Sequence, residues 1–103
     1  MKLAIRMHPD DNVATAIEPL AAGEPLAVLS ERGDEVDRLA ALTAVPLAFH
    51  KVALRLIAVG ETVRKYGEII GHATAPIARG EWIHTHNIES AAHPGTAGGG
   101  EEA

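Results

Sequence analysis

The chain has no cysteine, which excludes disulfides and thiolate metal sites. Aromatic residues are almost missing: Phe49, Tyr66 and Trp82 are the only three. The interior must therefore be built mainly from Ala, Val, Leu and Ile. Basic residues are in deficit, with 9 Lys and Arg against 14 Asp and Glu, a formal net charge of -5. No Lys/Arg cluster stands out, which argues against nucleic acid or an anionic membrane as the main partner. No apolar run reaches the ~20 residues needed to span a bilayer. The N-terminus lacks a signal-peptide pattern, so a cytoplasmic location is expected.

What is present fits one small domain: 103 residues, of which 47% are hydrophobic. Substrate pockets run to about 300–1,000 Å³, which a domain of this size encloses with difficulty. If the chain takes part in catalysis, another polypeptide is expected to complete the pocket.

Leu3, Ile5 and Met7 alternate with Ala4, Arg6 and His8, which predicts a short strand. Pro9-Asp10-Asp11-Asn12 then reads as a turn. Extended segments are expected over 13–17, 25–29, 49–54 and 82–88, with a turn over 30–34. Residues 36–42 read as a strand or a short irregular segment. Many short extended pieces joined by Gly and Pro turns predict an all-β domain over 1–90. Residues 91–103, rich in Ala, Gly and Glu, read as a flexible C-terminal tail.

A small pattern recurs as Leu20-Ala21-Ala22-Gly23-Glu24, Ile57-Ala58-Val59-Gly60-Glu61 and Ile77-Ala78-Arg79-Gly80-Glu81. Each copy is followed two positions later by an apolar residue (Leu26, Val63, Ile83). A glycine free to take positive φ between apolar anchors makes a tight turn. The copies are either well-formed turns, which is the expectation, or loops gathered round a site. Their unequal spacing rules out a solenoid.

Trp82-Ile83-His84-Thr85-His86-Asn87 is the stretch richest in chemistry. On a strand, His84 and His86 would project from the same face. Two imidazoles so placed can ligate a divalent metal, but a stable site takes three or four protein ligands. Asp11, His50 or another chain would have to supply the rest; otherwise the two rings only meet solvent or satisfy local hydrogen bonds. His50-Lys51 is the second candidate, a base or donor beside a cation that can hold a carboxylate. On a strand these two would face opposite sides; in a turn they could share one pocket. Asp10-Asp11-Asn12 offers an acid, a ligand and an amide, or simply an Asx turn. Tyr66-Gly67-Glu68-Ile69-Ile70-Gly71 offers a phenol and backbone N–H groups that could meet a ligand oxyanion, or a tyrosine packed at a turn. His8, His72 and His93 read as surface residues.

Taken in order, His50-Lys51-Val52-Ala53-Leu54, Gly60-Glu61, Tyr66-Gly67-Glu68, Ile70-Gly71, Ile77, Gly80-Glu81 and His84-Thr85-His86-Asn87 resemble the altronate and galactarate dehydratase family. Asp11-Asn12-Val13-Ala14 fits the same pattern, so the resemblance runs over about residues 3–90. It implies the N-terminal SAF domain of that family, a compact fold of the β-clip type. It also implies a small subunit that works with a separate large catalytic subunit as a hetero-oligomer, as in sulfolactate sulfo-lyases. The implied activity is a lyase reaction on a sugar acid or other 2-hydroxy acid, releasing water (or sulfite) and giving a 2-keto acid. The implied cofactor is a divalent metal, Fe²⁺ first and Mn²⁺ or Zn²⁺ as alternatives, with His84 and His86 as metal ligands. His50, Lys51 and Tyr66 would be catalytic, and Asp11, Asn12, Gly67 and Asn87 would bind substrate. The alternative is a non-catalytic module for carbohydrate binding or subunit assembly. The family pattern carries glycine before the His-Lys pair, where this chain has Phe49. Because a side chain disfavours positive φ, a differently shaped loop is expected there.

Overall fold

The computed structural model describes residues 1–90, and the tail read over 91–103 lies outside them. The described residues form an all-β domain of two sheets with no helix, and so none long and apolar enough to cross a membrane. The strands are β1 (Lys2–Arg6), β2 (Val13–Ala16), β3 (Pro25–Ser30), β4 (Glu35–Ala40), β5 (His50–Ala53), β6 (Thr62–Lys65), β7 (Glu68–Ala73), β8 (Trp82–Ile83) and β9 (Ile88–Ser90). The first sheet has the order β4-β3-β1-β2-β5-β8, and the second β6-β7-β9. β1 and β3 pair in parallel; the other neighbours are antiparallel.

Alternation along β2 and β5 divides the core between the two faces of the first sheet. Ala14, Ala16 and Val52 join Ala4, Leu26, Val28 and Val45 in one cluster. Val13 and Ala53 join Val63, Ala73, Ile77 and Ile83 in the cluster between the sheets. In β1 it is Ala4 that is fully buried, while the larger Leu3 and Ile5 are half-buried.

The three Gly-Glu copies are turns, each built in the same way. Gly23, Gly60 and Gly80 have φ of 82°, 83° and 88°, the left-handed region a type II turn needs at that position. The glutamate N–H closes each turn onto Ala21, Ala58 or Ala78 at 2.9–3.0 Å, and its carboxylate accepts that alanine's N–H at 2.9 Å. Each turn then docks on a buried alanine elsewhere. The glycine N–H donates to the carbonyl of Ala41, Ala73 or Ala53 at 2.6–2.8 Å, and that alanine's N–H donates back to the glutamate carbonyl at 2.9–3.0 Å. Four residues beyond each of these alanines lies Val45, Ile77 or Ile57, which exchanges two backbone hydrogen bonds with Leu20 or with its counterpart isoleucine. The second and third turns therefore dock on one another reciprocally.

The first turn has a reciprocal partner too, and it holds Phe49. Phe49 N–H donates to Ala16 O at 2.6 Å, as the turn glycines do to their alanines, and His50 pairs with Ala16 where the other turns place glutamate. Phe49 has φ of 65°. The loop thus keeps the glycine-type conformation, contrary to the expectation of a different shape; the docking hydrogen bond holds a phenylalanine in a strained region.

The β6–β7 hairpin was not read from the sequence. Its turn residues Tyr66 and Gly67 have φ of 59° and 74°, the signature of a type I′ turn. The side chains before β2 tie this hairpin to the first sheet. Asn12 donates to Thr62 O at 2.8 Å and accepts from Arg64 N–H at 2.8 Å. Arg79 clamps β4 with a bidentate pair to Asp37 at 2.6 and 2.9 Å, and also donates to Leu54 O.

Two predictions follow from the turns. Phe49→Gly should stabilise the domain by about 1 kcal/mol in urea unfolding, since only the strain is removed at an exposed site, whereas Phe49→Ala should not. The second concerns acid. The Arg55 guanidinium and then the Ala58 N–H hold Glu61 below the usual 4.5, the Ala21 N–H and then Lys2 do the same for Glu24, and Arg79 lowers Asp37. Depressed folded-state values contribute stability above the unfolded value that is lost as pH falls through the folded one. The unfolding midpoint should therefore drop as pH is lowered from about 4.5, and Glu61→Gln should reduce the drop.

Candidate functional site

β5 and β8 bring His50, Trp82, His84 and His86 together at one end of the first sheet. The Trp82 indole N–H donates to His50 Nδ1 at 3.2 Å. The His84 ring stacks on the indole with centroids 5.1 Å apart and planes 9° from parallel, and lies 5.1 Å from the His50 ring. His86 reaches the same indole at 5.0 Å, tilted by 45°. His50 and His84 are half-buried, and His86 is exposed. An imidazole whose Nδ1 accepts a hydrogen bond carries its proton, when neutral, on Nε2. His50 is thus arranged as an Nε2–H donor.

The backbone under this cluster is not the strand expected over 82–88. β8 ends at Ile83, and residues 84–87 turn, closed by Asn87 N–H to His84 O at 3.0 Å. Asn87 explains the break: its Oδ1 accepts the His84 N–H at 3.0 Å, and its amide donates to Trp82 O at 2.8 Å. Each of the two imidazoles packs on Trp82, and neither is placed by strand alternation. Thr43 braces the other side, its hydroxyl accepting the Trp82 N–H at 2.9 Å.

The remaining candidates lie elsewhere. Lys51 follows His50 on a strand and so projects from the opposite face of β5. Burial, and then the neighbouring Lys65 ammonium, push its pKa below the usual lysine value. Asp11 accepts the Tyr66 and Gly67 N–H groups at 2.9 and 2.7 Å, so the oxyanion met by that turn is the chain's own carboxylate. Gly67 lies against the His8 ring, which a Cβ would meet at 3.1 Å. The Tyr66 ring is exposed, with the Lys65 ammonium 5.4 Å from its centroid. Asn12 and Asn87 are 2% exposed, and both ends of each amide bond to backbone.

Among the described residues, no three His, Cys, Asp or Glu side chains are grouped so as to hold a metal ion. His50 Nδ1 is already engaged by Trp82, and the Asp11 carboxylate by the hairpin turn. The described residues do not by themselves offer a complete metal site. Trp82 and Thr43 were missed as site residues. The signal for Trp82 was its place as the sole tryptophan, at the head of the histidine run; Thr43 had none.

Two reciprocally docked turn pairs within an all-β domain, three turns hinged on glycine and one on Phe49, with an imidazole cluster at one sheet end, define the class: a compact β-domain carrying a small polar site. The chain belongs to the altronate/galactarate dehydratase SAF domain family, whose model matches residues 2–91. It is 37% identical over 93 residues to "Altronate dehydratase" of Bacillus subtilis (strain 168), covering 87% of this chain and 17% of that protein. It is 40% identical over 86 residues to "Altronate dehydratase" of Escherichia coli (strain K12), covering 84% and 16%. The chain thus spans about a sixth of the length of these dehydratases. It is also 34% identical over 92 residues to "(2R)-sulfolactate sulfo-lyase subunit alpha" of Chromohalobacter salexigens, covering 87% of this chain and 97% of that subunit. The relatives are named as lyases and dehydratases, and the word subunit in the last name marks a multi-subunit enzyme.

Asn87→Ala should cost about 1–3 kcal/mol in urea unfolding, because it strands the part-buried His84 N–H and Trp82 carbonyl. It should also shift the Trp82 fluorescence maximum in the folded protein, as the turn that presses His84 on the indole loosens.

Proposed function

We propose that this chain is the SAF-domain small subunit of a sugar-acid lyase, active only with a separate large catalytic subunit in a hetero-oligomer in the cytoplasm. The observation that carries this reading is the near-complete coverage, 97%, of a relative that is itself a separate subunit. The proposed reaction is elimination from a 2-hydroxy acid. The C2–H bond breaks, its proton going to a base and its electron pair forming the C2=C3 double bond, while the C3–O (or C3–S) bond breaks and its pair leaves with the hydroxyl, which takes up a proton to become water (or with the sulfonate, which becomes sulfite). The resulting enol becomes a 2-keto acid. His50, fixed by Trp82, donates its Nε2–H to a substrate oxygen on which charge develops. His84 supplies a second imidazole beside it, 5.1 Å away. The large subunit supplies the rest of the pocket, including the further ligands that any Fe²⁺, Mn²⁺ or Zn²⁺ would require beyond His84 and His86.

A non-catalytic module is the second reading. The observation that favours it is the use of Asp11, Asn12 and Asn87 to bind the chain's own backbone. One assay separates the two. The chain is co-purified with its large subunit, and keto-acid formation is followed over aldonic, aldaric and sulfonated hydroxy acids. Turnover is expected only with both polypeptides present, and His50→Ala should lower kcat by about 10²-fold or more. A His50→Ala, His84→Ala double variant that assembles and turns over like wild type would leave the module reading.

A further inference from the structure

The seam between the sheets changes character one pleat along from its apolar centre. Val13, Ala53 and Val63 pack together in the inter-sheet cluster. Two residues further along their strands stand Thr15, Lys51 and Lys65, and Thr15 lies directly opposite Lys51 in the β2–β5 register. The bulge beside Val63 places its extra residue, Ile70, on β7 and leaves β6 regular, so side-chain alternation sends all three toward the same seam. Thr15 is 6% exposed, and its hydroxyl has no hydrogen-bond partner. Lys51 and Lys65 are both half-buried, and neither forms an ion pair among the described residues. Glu68, opposite Lys65 across the hairpin, is exposed and makes no ion pair with it. The seam therefore holds a buried hydroxyl without a partner beside two lysines without a counter-charge, the Lys65 ammonium lying at its edge, 5.4 Å from the exposed Tyr66 ring centroid. The buried hydroxyl without a partner and the desolvated Lys51 ammonium are each unfavourable, and one anionic oxygen group would relieve both while meeting Lys65.

We propose that Thr15, Lys51 and Lys65 form a binding site for a carboxylate or sulfonate group, on the opposite face of β5 from the imidazole cluster. The ammonium groups and the Thr15 hydroxyl donate to the anion's oxygens. The lowered pKa of Lys51, caused by burial and then by Lys65, is the cost such an anion would offset. Only the identity of the natural ligand rests on the lyase reading, in which the substrate's acid group is the occupant. Lys51 and His50 then act on different groups instead of gripping one carboxylate together.

The test uses the full chain alone, so failure of the turnover assay and failure of this site are separate results. Thermal midpoints are recorded against sodium malonate and sodium methanesulfonate, with sodium chloride at matched ionic strength as reference. Wild type should show a saturable rise beyond chloride with at least one of the two probes, and the responding probe identifies the class. Lys51→Met and Lys65→Met should abolish the rise, and Thr15→Val should weaken binding several-fold. A rise equal to that in chloride, or one unchanged by Lys51→Met, would overturn the proposal. If Lys51→Met does not fold, amide shifts in wild type decide. Changes centred on Thr15, Lys51 and Lys65 support the site, and changes only elsewhere overturn it.

Discussion

A reciprocal backbone exchange organises this domain. A turn residue in the left-handed region points its N–H at the carbonyl of a buried alanine, and the alanine's N–H returns to the residue after the turn. Two chain segments meeting this way hold one another without helices, disulfides or a large aromatic core. Alanine suits the docking position because the other backbone passes over it; Ala41, Ala53 and Ala73 are at most 1% exposed. With so few aromatics, much of the interior is this close approach of backbone over small side chains.

The same device positions the chemistry. In three turns the residue after the hinge is a glutamate whose carboxylate is spent on capping its own turn. In the fourth it is His50, whose ring is free to meet Trp82. The hinge before it is Phe49, which holds a conformation better suited to glycine. Strain thus sits next to a candidate functional side chain, where it can be supported by the docking hydrogen bond to Ala16.

Much of the fold was legible, and the gaps have physical causes. The Gly-Glu turns could be read because glycine at a type II position leaves a local mark, and the reading as turns rather than site loops matches their hydrogen bonds. The docking alanines were invisible, since a small apolar residue does not announce that another backbone lies against it. The turn at Tyr66 was open only as an alternative, and the β6 and β7 strands on either side of it were not read, because Tyr66 rather than asparagine or glycine fills the first left-handed position before Gly67. Of the candidate site, His50, His84 and His86 could be listed from sequence, but not what gathers them. Period-2 reasoning placed both imidazoles on one strand face, whereas Asn87 ends the strand and the rings meet on Trp82. Lys51 could be placed on the other face by alternation alone, but its neighbours Thr15 and Lys65 come from distant strands and required the register.

The candidate site depends on His50 being held by the Trp82 indole within the fourth turn. Long-range proton–nitrogen correlation of the histidine rings, combined with nuclear Overhauser contacts from the single tryptophan, measures this directly. The structure requires neutral His50 in the Nε2–H form, with the indole N–H proton close to its ring and the His84 ring over the indole. A His50 in the Nδ1–H form, or an indole with no contact to either imidazole, would contradict it.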